Sequence, residues 1–368
     1  MSAATTVAVR AWTTLSPRSV ITKRASPVQR LDRRHVRFVY ESSVGISAFI
    51  SPGRSLDRAL ERVKLADRLG YDGVYTTHIA RRDSLTTLMA YAGATERIRL
   101  GTGVAPIFSR TPATMAQTAA TIDEYSGGRM VLGLGISHRV TVENWHGQRI
   151  EKPVTQMREY AAGVRAILRG EEPPESEYFP TKFAFMGYSA RPDLPIYVAA
   201  LSPNMIRRAG RIADGVMFWL CCPSYIRDTA IPALREGVEA AGRSFDDFDV
   251  VAAVPVALTD DVEAARATLR QDLIPYASLP FYRAMLEGSG FGEELAAFDA
   301  GMAEGDIERA KAGLSDRMLG ELAGIGSADD VTQAVRRYQE AGATSPGIGG
   351  LPGTDYDAAL ETVAALIA

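Results

Sequence analysis

Ser137, His138 and Arg139 stand directly behind the apolar run Val131–Gly135, and His146 follows closely in the same stretch, "VLGLGISHRVTVENWHG". His78 closes another apolar run, "VYTTH". The chain has only 4 histidines, and these three all trail short apolar segments. An imidazole titrates near neutral pH, so His78 is the first candidate for proton transfer and His138 the second. His146 reads as structural or supporting. Ser137 and Arg139 offer a hydroxyl and a positive charge, which suit an anionic or electron-rich group beside them. In "LSPNM", Ser202 precedes a fresh helix N-terminus, which reads either as a phosphate seat or as an ordinary helix cap. The glycine pairs of "GTGVAP" and "GLGISH" lack the third glycine of a dinucleotide fingerprint. They read as strand-end turns where a planar ligand or a phosphate approaches the backbone.

Other chemistries lack their residues. Cys221 and Cys222 are the only cysteines and are adjacent, so no disulfide framework or cysteine-rich metal site is expected. No His-x-His pair follows the first apolar segment, "ISAFISPG", which argues against metal-assisted hydrolysis. No Gly-x-Ser-x-Gly elbow or phosphate-binding P-loop is present. The net charge of −3 gives no global argument for nucleic acid or a membrane surface, and no apolar run is long enough to span a bilayer. Charge is nevertheless uneven. Residues 1–43 hold eight Lys/Arg and two acids, which leaves 33 basic and 42 acidic residues of the total 41 and 44 for the remainder. The basic leader is expected to be a disordered extension rather than a transit peptide or secretory signal. Cysteine scarcity fits a reducing cytoplasm.

The elements that must carry these residues alternate regularly from Val44 onward. Strands are expected at Val44–Ile50, Gly73–Thr77, Ile98–Val104, Met130–Leu134, Pro195–Ala199, Gly215–Leu220, Phe248–Leu258 and Ser345–Gly350, each followed by a helix. Ser55 and Asp83 are placed to cap helices, Pro112 to start one, and Gly70 to stop one. Eight such units predict an α/β fold, a (β/α)8 TIM barrel over residues 44–368, with residues 280–325 as a helical insertion without strand signals. In that fold the strands' C-terminal ends carry the site, where all the residues singled out above fall. Phe108, Trp145, Phe281 and Tyr282 suggest an aromatic wall for a small-molecule substrate.

Four segments together resemble the bacterial-luciferase-like oxidoreductases, which use flavin or deazaflavin. They are "GRSLDRALERVKLADRLGYDGVYTTH", "ATERIRLGTGV", "RTPATMAQTAATIDEYSGGRMVLGLG" and "AGRIADG". Within that family the chain is similar to reductases using coenzyme F420, akin to methylenetetrahydromethanopterin reductase. The resemblance implies a luciferase-like barrel, a non-prolyl cis peptide at Gly103–Val104 behind the cofactor ring, and Ile136, Ser137 and Arg139 beside the ring and tail. It implies that Ala200, Leu201, Ser202 and Pro203 face the phosphate. His78 falls where the family often has Asp-His, with Thr77 here in place of the acid. His138 falls where sugar-phosphate dehydrogenase relatives carry an acidic residue. The implied activity is F420-dependent hydride transfer to or from an activated C=C, C=N or C=O group, by a homodimer; the residues themselves give the expectation of a cytoplasmic protein without metal, nucleic acid or membrane. An FMN-dependent monooxygenase is the alternative within the same barrel. A catalytically silent flavin-fold binding protein is the alternative of another class.

Overall fold

In the computed structural model, residues 45–367 are described; the expectation for residues 1–43 lies outside them. Eight parallel strands close into a barrel. They are β1 (Ser47–Phe49), β2 (Gly73–Thr76), β3 (Arg99–Thr102), β4 (Met130–Gly135), β5 (Ile196–Ala199), β6 (Gly215–Phe218), β7 (Asp249–Leu258) and β8 (Ser345–Gly350). Each pairs with its sequence neighbour, and β8 closes the ring by pairing with both β7 (Ser345↔Val251 through Gly350↔Val256) and β1 (Ser47↔Gly347). A parallel sheet leaves all eight C-terminal ends on one face.

Local chemistry sets the helices that cover it. Helix α1 (Leu56–Leu69) starts where the Ser55 side chain accepts from the Arg58 amide, and stops at Gly70, whose φ of 87° a side chain rarely adopts. It turns Ala59, Val63 and Ala66 inward. Helix α2 (Ser84–Ala94) is capped by Asp83, α3 (Pro112–Ser126) opens on Pro112 behind the Thr111 cap, and α4 (Pro153–Arg169) stops at Gly170. Helix α5 (Pro203–Ile212) follows β5, and its cap is Ser202. The main core lies between the barrel and these helices. A second, smaller core fills the barrel itself, with Phe49, Tyr75, Val131, Tyr197, Met217 and Val251.

One expectation needs correction. Residues 280–325 are mainly helical, at Pro280–Gly288, Gly292–Glu304, Ile307–Gly313 and Asp316–Leu322, but Gly324–Gly326 forms a strand along the end of β7 (Val256↔Gly324). Three residues with one apolar side chain, Ile325, give no alternation from which a strand could be read. A two-residue strand, Ala105–Pro106, also pairs with β4. No helix among the described residues is long and apolar enough to cross a membrane.

Candidate active site

At the end of β2 the chain continues into Thr77 and His78. Asp83 caps α2 by accepting from the Thr86 amide at 2.8 Å, and that cap folds the next residue back onto the imidazole. The Ser84 amide donates to His78 Nδ1 at 3.3 Å, and the Ser84 hydroxyl lies 3.0 Å from the same nitrogen. An amide only donates, so Nδ1 carries the lone pair and the neutral ring holds its proton on Nε2. Asp83 Oδ2 stands 3.7 Å from Nδ1 and also binds Arg110. Burial pushes the Asp83 carboxyl up, but the Thr86 amide and hydroxyl and the Arg110 guanidinium outweigh it and bring it to about 2. His78 is only 12% exposed. Burial lowers its pKa, Asp83 pulls it up in part, and Arg110 and His146 push it down again, so it lies below its ordinary value. The loops after β2 and β4 therefore bring His146 within electrostatic range of His78.

Beside His78, the Thr77 amide donates to Ser51 Oγ at 3.1 Å, and the two hydroxyls stand 2.9 Å apart. They line a cavity of about 190 Å³ together with Pro52, Ile79, Arg81 and Arg82.

The Gly103–Val104 peptide at the end of β3 is cis. Its neighbour explains the Gly-x-Gly of β4 differently from the expected turn. A Cβ on Gly133 would lie 2.1 Å from the Thr102 carbonyl oxygen, and one on Gly135 would lie 2.4 Å from Val104 Cγ2. Both glycines sit inside a straight strand and make room for the end of β3; the backbone turns two residues later, at Ser137. Ser137 (φ 65°) and Leu220 (φ 47°) are the non-glycine residues with positive φ among the described residues, and both closely follow barrel strands. Such backbone costs roughly 1–3 kcal/mol and clusters at ligand sites. Beyond Ser137 the chain winds into a π-helical turn, Val140–Trp145.

The members of the Ser-His-Arg triplet, just ahead of that turn, have different surroundings. Arg139 is 65% exposed, ion-paired with Glu143 and bonded to the Ile150 carbonyl at 3.3 Å, so its charge is engaged within its own loop. His138 meets Tyr276 edge-on at 6.0 Å and Tyr282 at 6.4 Å. Burial lowers its pKa. Its ring, unlike that of His78, has aromatic contacts but no hydrogen bond to fix a tautomer.

After β5, Ala200 is buried and the Leu201 carbonyl accepts from the Tyr225 hydroxyl at 2.9 Å. Ser202 Oγ accepts from the Met205 amide at 3.4 Å, which makes it a helix cap, and Pro203 begins α5. Val104, Gly135 and Ala199 are neighbours, for a Cβ on Gly135 would stand 3.7 Å from Ala199 Cβ. The structure thus joins the cis peptide, the end of β4 and the end of β5 along one side of the mouth, with His78 on β2.

Of the nine exposed large apolar side chains among the described residues, Ile79, Val140, Trp145 and Trp219 lie in the segments that directly follow β2, β4 and β6. Trp219 stands edge-on to Phe49 at 5.8 Å, over the aromatic filling of the barrel. Of the expected wall, Tyr282 meets His138, Phe281 is exposed, and Phe108 packs on Phe179 at 6.2 Å. Ser51, Asp83, Trp219 and Tyr276 were not foreseen as site residues. Asp83 shows only its capping pattern in the sequence, and the other three have no local signature. No group of three or more His, Cys, Asp or Glu residues placed to hold a metal occurs among the described residues.

Comparison with known proteins bears on this mouth. A family model described as luciferase-like monooxygenase matches residues 36–345. The 5,10-methylenetetrahydromethanopterin reductase of Archaeoglobus fulgidus is 30% identical over 308 residues, 82% of this chain and 92% of that one. A putative coenzyme F420-dependent oxidoreductase of Mycobacterium tuberculosis is 29% identical over 310 residues, 77% of this chain and 88% of that one. The structure of the coenzyme F420-dependent tetrahydromethanopterin reductase from Methanopyrus kandleri superposes with a TM-score of 0.75 at 24% identity, covering 88% of this chain and 97% of that one, a likeness of fold.

Proposed function

The chain belongs to the luciferase-like monooxygenase family, and from that premise we propose that it is an F420-dependent oxidoreductase acting on a small organic molecule. The observation that carries this reading is His78, a buried imidazole locked by the Ser84 amide with its proton on Nε2. It is supported by the names of the relatives, which include a putative coenzyme F420-dependent oxidoreductase and a 5,10-methylenetetrahydromethanopterin reductase. When bound, the deazaflavin supplies or accepts a hydride at its C5; the protein orients it and handles the proton.

The residues present fit such a group. Asp83 after β2 and Glu143 after β4 are each ion-paired with arginine, which reduces their repulsion of an anionic tail. Helix α5 leaves the Asn204 amide of its first turn for a phosphate, since Pro203 has none and Ser202 holds that of Met205. Val104, Gly135, Ile136 and Ala200 give a close-packed, largely apolar side for a planar ring. His78 donates from Nε2 to an oxygen or nitrogen that gains a proton as hydride arrives at the adjacent carbon, and accepts one in the reverse direction. His138, boxed by Tyr276 and Tyr282, is the second candidate for that role and closes the substrate side. A homodimer belongs to the same reading, and light scattering reads it directly.

An FMN-dependent monooxygenase is the second reading, favoured by the description of the matching family model. Titration of the purified chain with F420 and separately with FMN, following ligand fluorescence and thermal stability, decides between them. Binding of F420 without FMN supports the proposal. Binding of FMN alone, with oxygen consumption on turnover, overturns it. Binding of neither favours the silent binding protein.

A further inference from the structure

We propose that the cavity between the loops after β1 and β2 binds the anionic group, a carboxylate or phosphate, of an organic substrate, with Arg81 and Arg82 as its cationic walls. The two arginines on the cavity wall are the first argument. Among the described residues Arg81 has neither an ion pair nor a hydrogen bond, and Arg82 has one hydrogen bond, to the Gly53 carbonyl at 3.0 Å. Both line the cavity, and a guanidinium pairs well with a carboxylate or phosphate. The nearby Asp83 cannot neutralise them, because Arg110 and Thr86 already hold its oxygens.

The lining gives the second argument. Ser51 Oγ accepts the Thr77 amide, and only one hydroxyl hydrogen is needed between Ser51 and Thr77. The other is left to donate to a ligand. Donors on two sides and no acceptor charge describe an anion site. Pro52 and Ile79 add apolar surface for a short carbon skeleton. At about 190 Å³ the cavity is smaller than a pocket for a whole drug-sized ligand. It admits a substrate's charged end.

Position supplies the third. The cavity is lined by Thr77 and Ile79, the two chain neighbours of His78, so it adjoins the loop that carries the imidazole. The helix N-terminus suited to a cofactor phosphate, that of α5, follows β5, four strands round the barrel from β1. The assignment of this anion to substrate rather than cofactor rests on the F420 reading; the anion site itself does not.

The test uses the full chain, without cofactor and loaded with F420, as wild type and as the Arg81→Ala/Arg82→Ala variant. The probes are inorganic phosphate and hexanoate, with hexanol and sodium chloride as controls, read by thermal shift. Phosphate and hexanoate are expected to stabilise the wild type saturably and hexanol is not. The variant should bind both anions at least about tenfold more weakly, the scale of one charge-assisted contact, with F420 affinity unchanged. Equal anion binding by variant and wild type overturns the site. A loss of F420 affinity in the variant, with no loss for the tail-less deazaflavin chromophore, gives the arginines to the cofactor tail and overturns the substrate assignment. If the wild type binds FMN and not F420, the cofactor reading fails while the anion titration of the cofactor-free chain still reads the site. An Arg81→Lys/Arg82→Lys variant, which keeps the charge, should recover part of the binding if the alanine variant does not fold.

Discussion

At His78 three local interactions fix what the ring can do: the Ser84 amide sets the tautomer, Asp83 draws the ring toward its charged form, and Arg110 and burial oppose that. His78→Ala should lower turnover by about 10²–10⁴, the usual worth of a positioned acid or base, while F420 affinity stays close to wild type. A variant that keeps full turnover removes His78 from the chemistry. Asp83→Asn is the sharper change, because asparagine still caps α2 and only the charge is lost. The sign follows from the environment. Asp83 raises the pKa of His78, so its loss lowers that pKa further. In the direction that needs neutral His78 as base, activity rises with pH through this pKa. The acid limb of the kcat/KM profile should therefore move to lower pH in Asp83→Asn. A limb that stays put would show that the carboxylate acts on the helix alone.

At the scale of the element, the end of β4 shows why two glycines recur. Gly133→Ala drives a Cβ into the Thr102 carbonyl, which is backbone and cannot rotate away. It should cost about 2 kcal/mol, within the range for overpacking, read as a lower urea midpoint. In Gly135→Ala the obstacle is the Val104 side chain, which can shift, so the loss should be smaller in stability and larger in cofactor affinity. Ser202→Ala removes the cap of α5 and should cost about 1 kcal/mol, with a matching fall in thermal midpoint. Much of this level was legible in the sequence. Apolar runs alternating with amphipathic segments gave all eight barrel strands, and Ser55, Asp83, Pro112 and Gly70 marked helix ends because capping is a local interaction. What escaped is non-local. The reason for Gly133 lies on β3. The strand Gly324–Gly326 exists through its pairing to β7 rather than through its own pattern. His138 and Tyr276 meet across more than a hundred residues of chain.

At the scale of the whole molecule the barrel has two ends with opposite duties. The mouth collects the strained backbone and the histidines; the opposite end is tied shut. Arg99, at the start of β3, binds Asp72 ahead of β2, Tyr197 Oη on β5 at 3.0 Å and Asp249 Oδ2 at the start of β7 at 3.1 Å. Tyr197 also donates to Asp249 at 2.6 Å, and Thr344, just ahead of β8, donates to the other carboxylate oxygen. The charge is thus shared round the ring, among strands distant in sequence. Conservation of function does not require this network, for it lies away from the catalytic face; closure does. Burial alone would push the Asp249 carboxyl up, yet Arg99, Thr344 and Tyr197 outweigh it and hold it below its ordinary value. A carboxylate whose pKa is depressed by folding contributes stability that is present above its unfolded value and is lost as pH falls through the folded one. Asp249→Asn leaves Arg99 with one fewer counter-charge in a buried site and should cost about 3 kcal/mol at pH 7, the low end for breaking a buried pair. The gap between wild type and variant in urea unfolding should narrow below about pH 4, where the unfolded carboxyl takes up its proton. F420 affinity measured below the unfolding transition should not change, because nothing in the network reaches the mouth. A constant gap across that pH range would mean that Asp249 acts through its hydrogen bonds rather than its charge, and a loss of cofactor binding would mean that the two ends of the barrel are coupled.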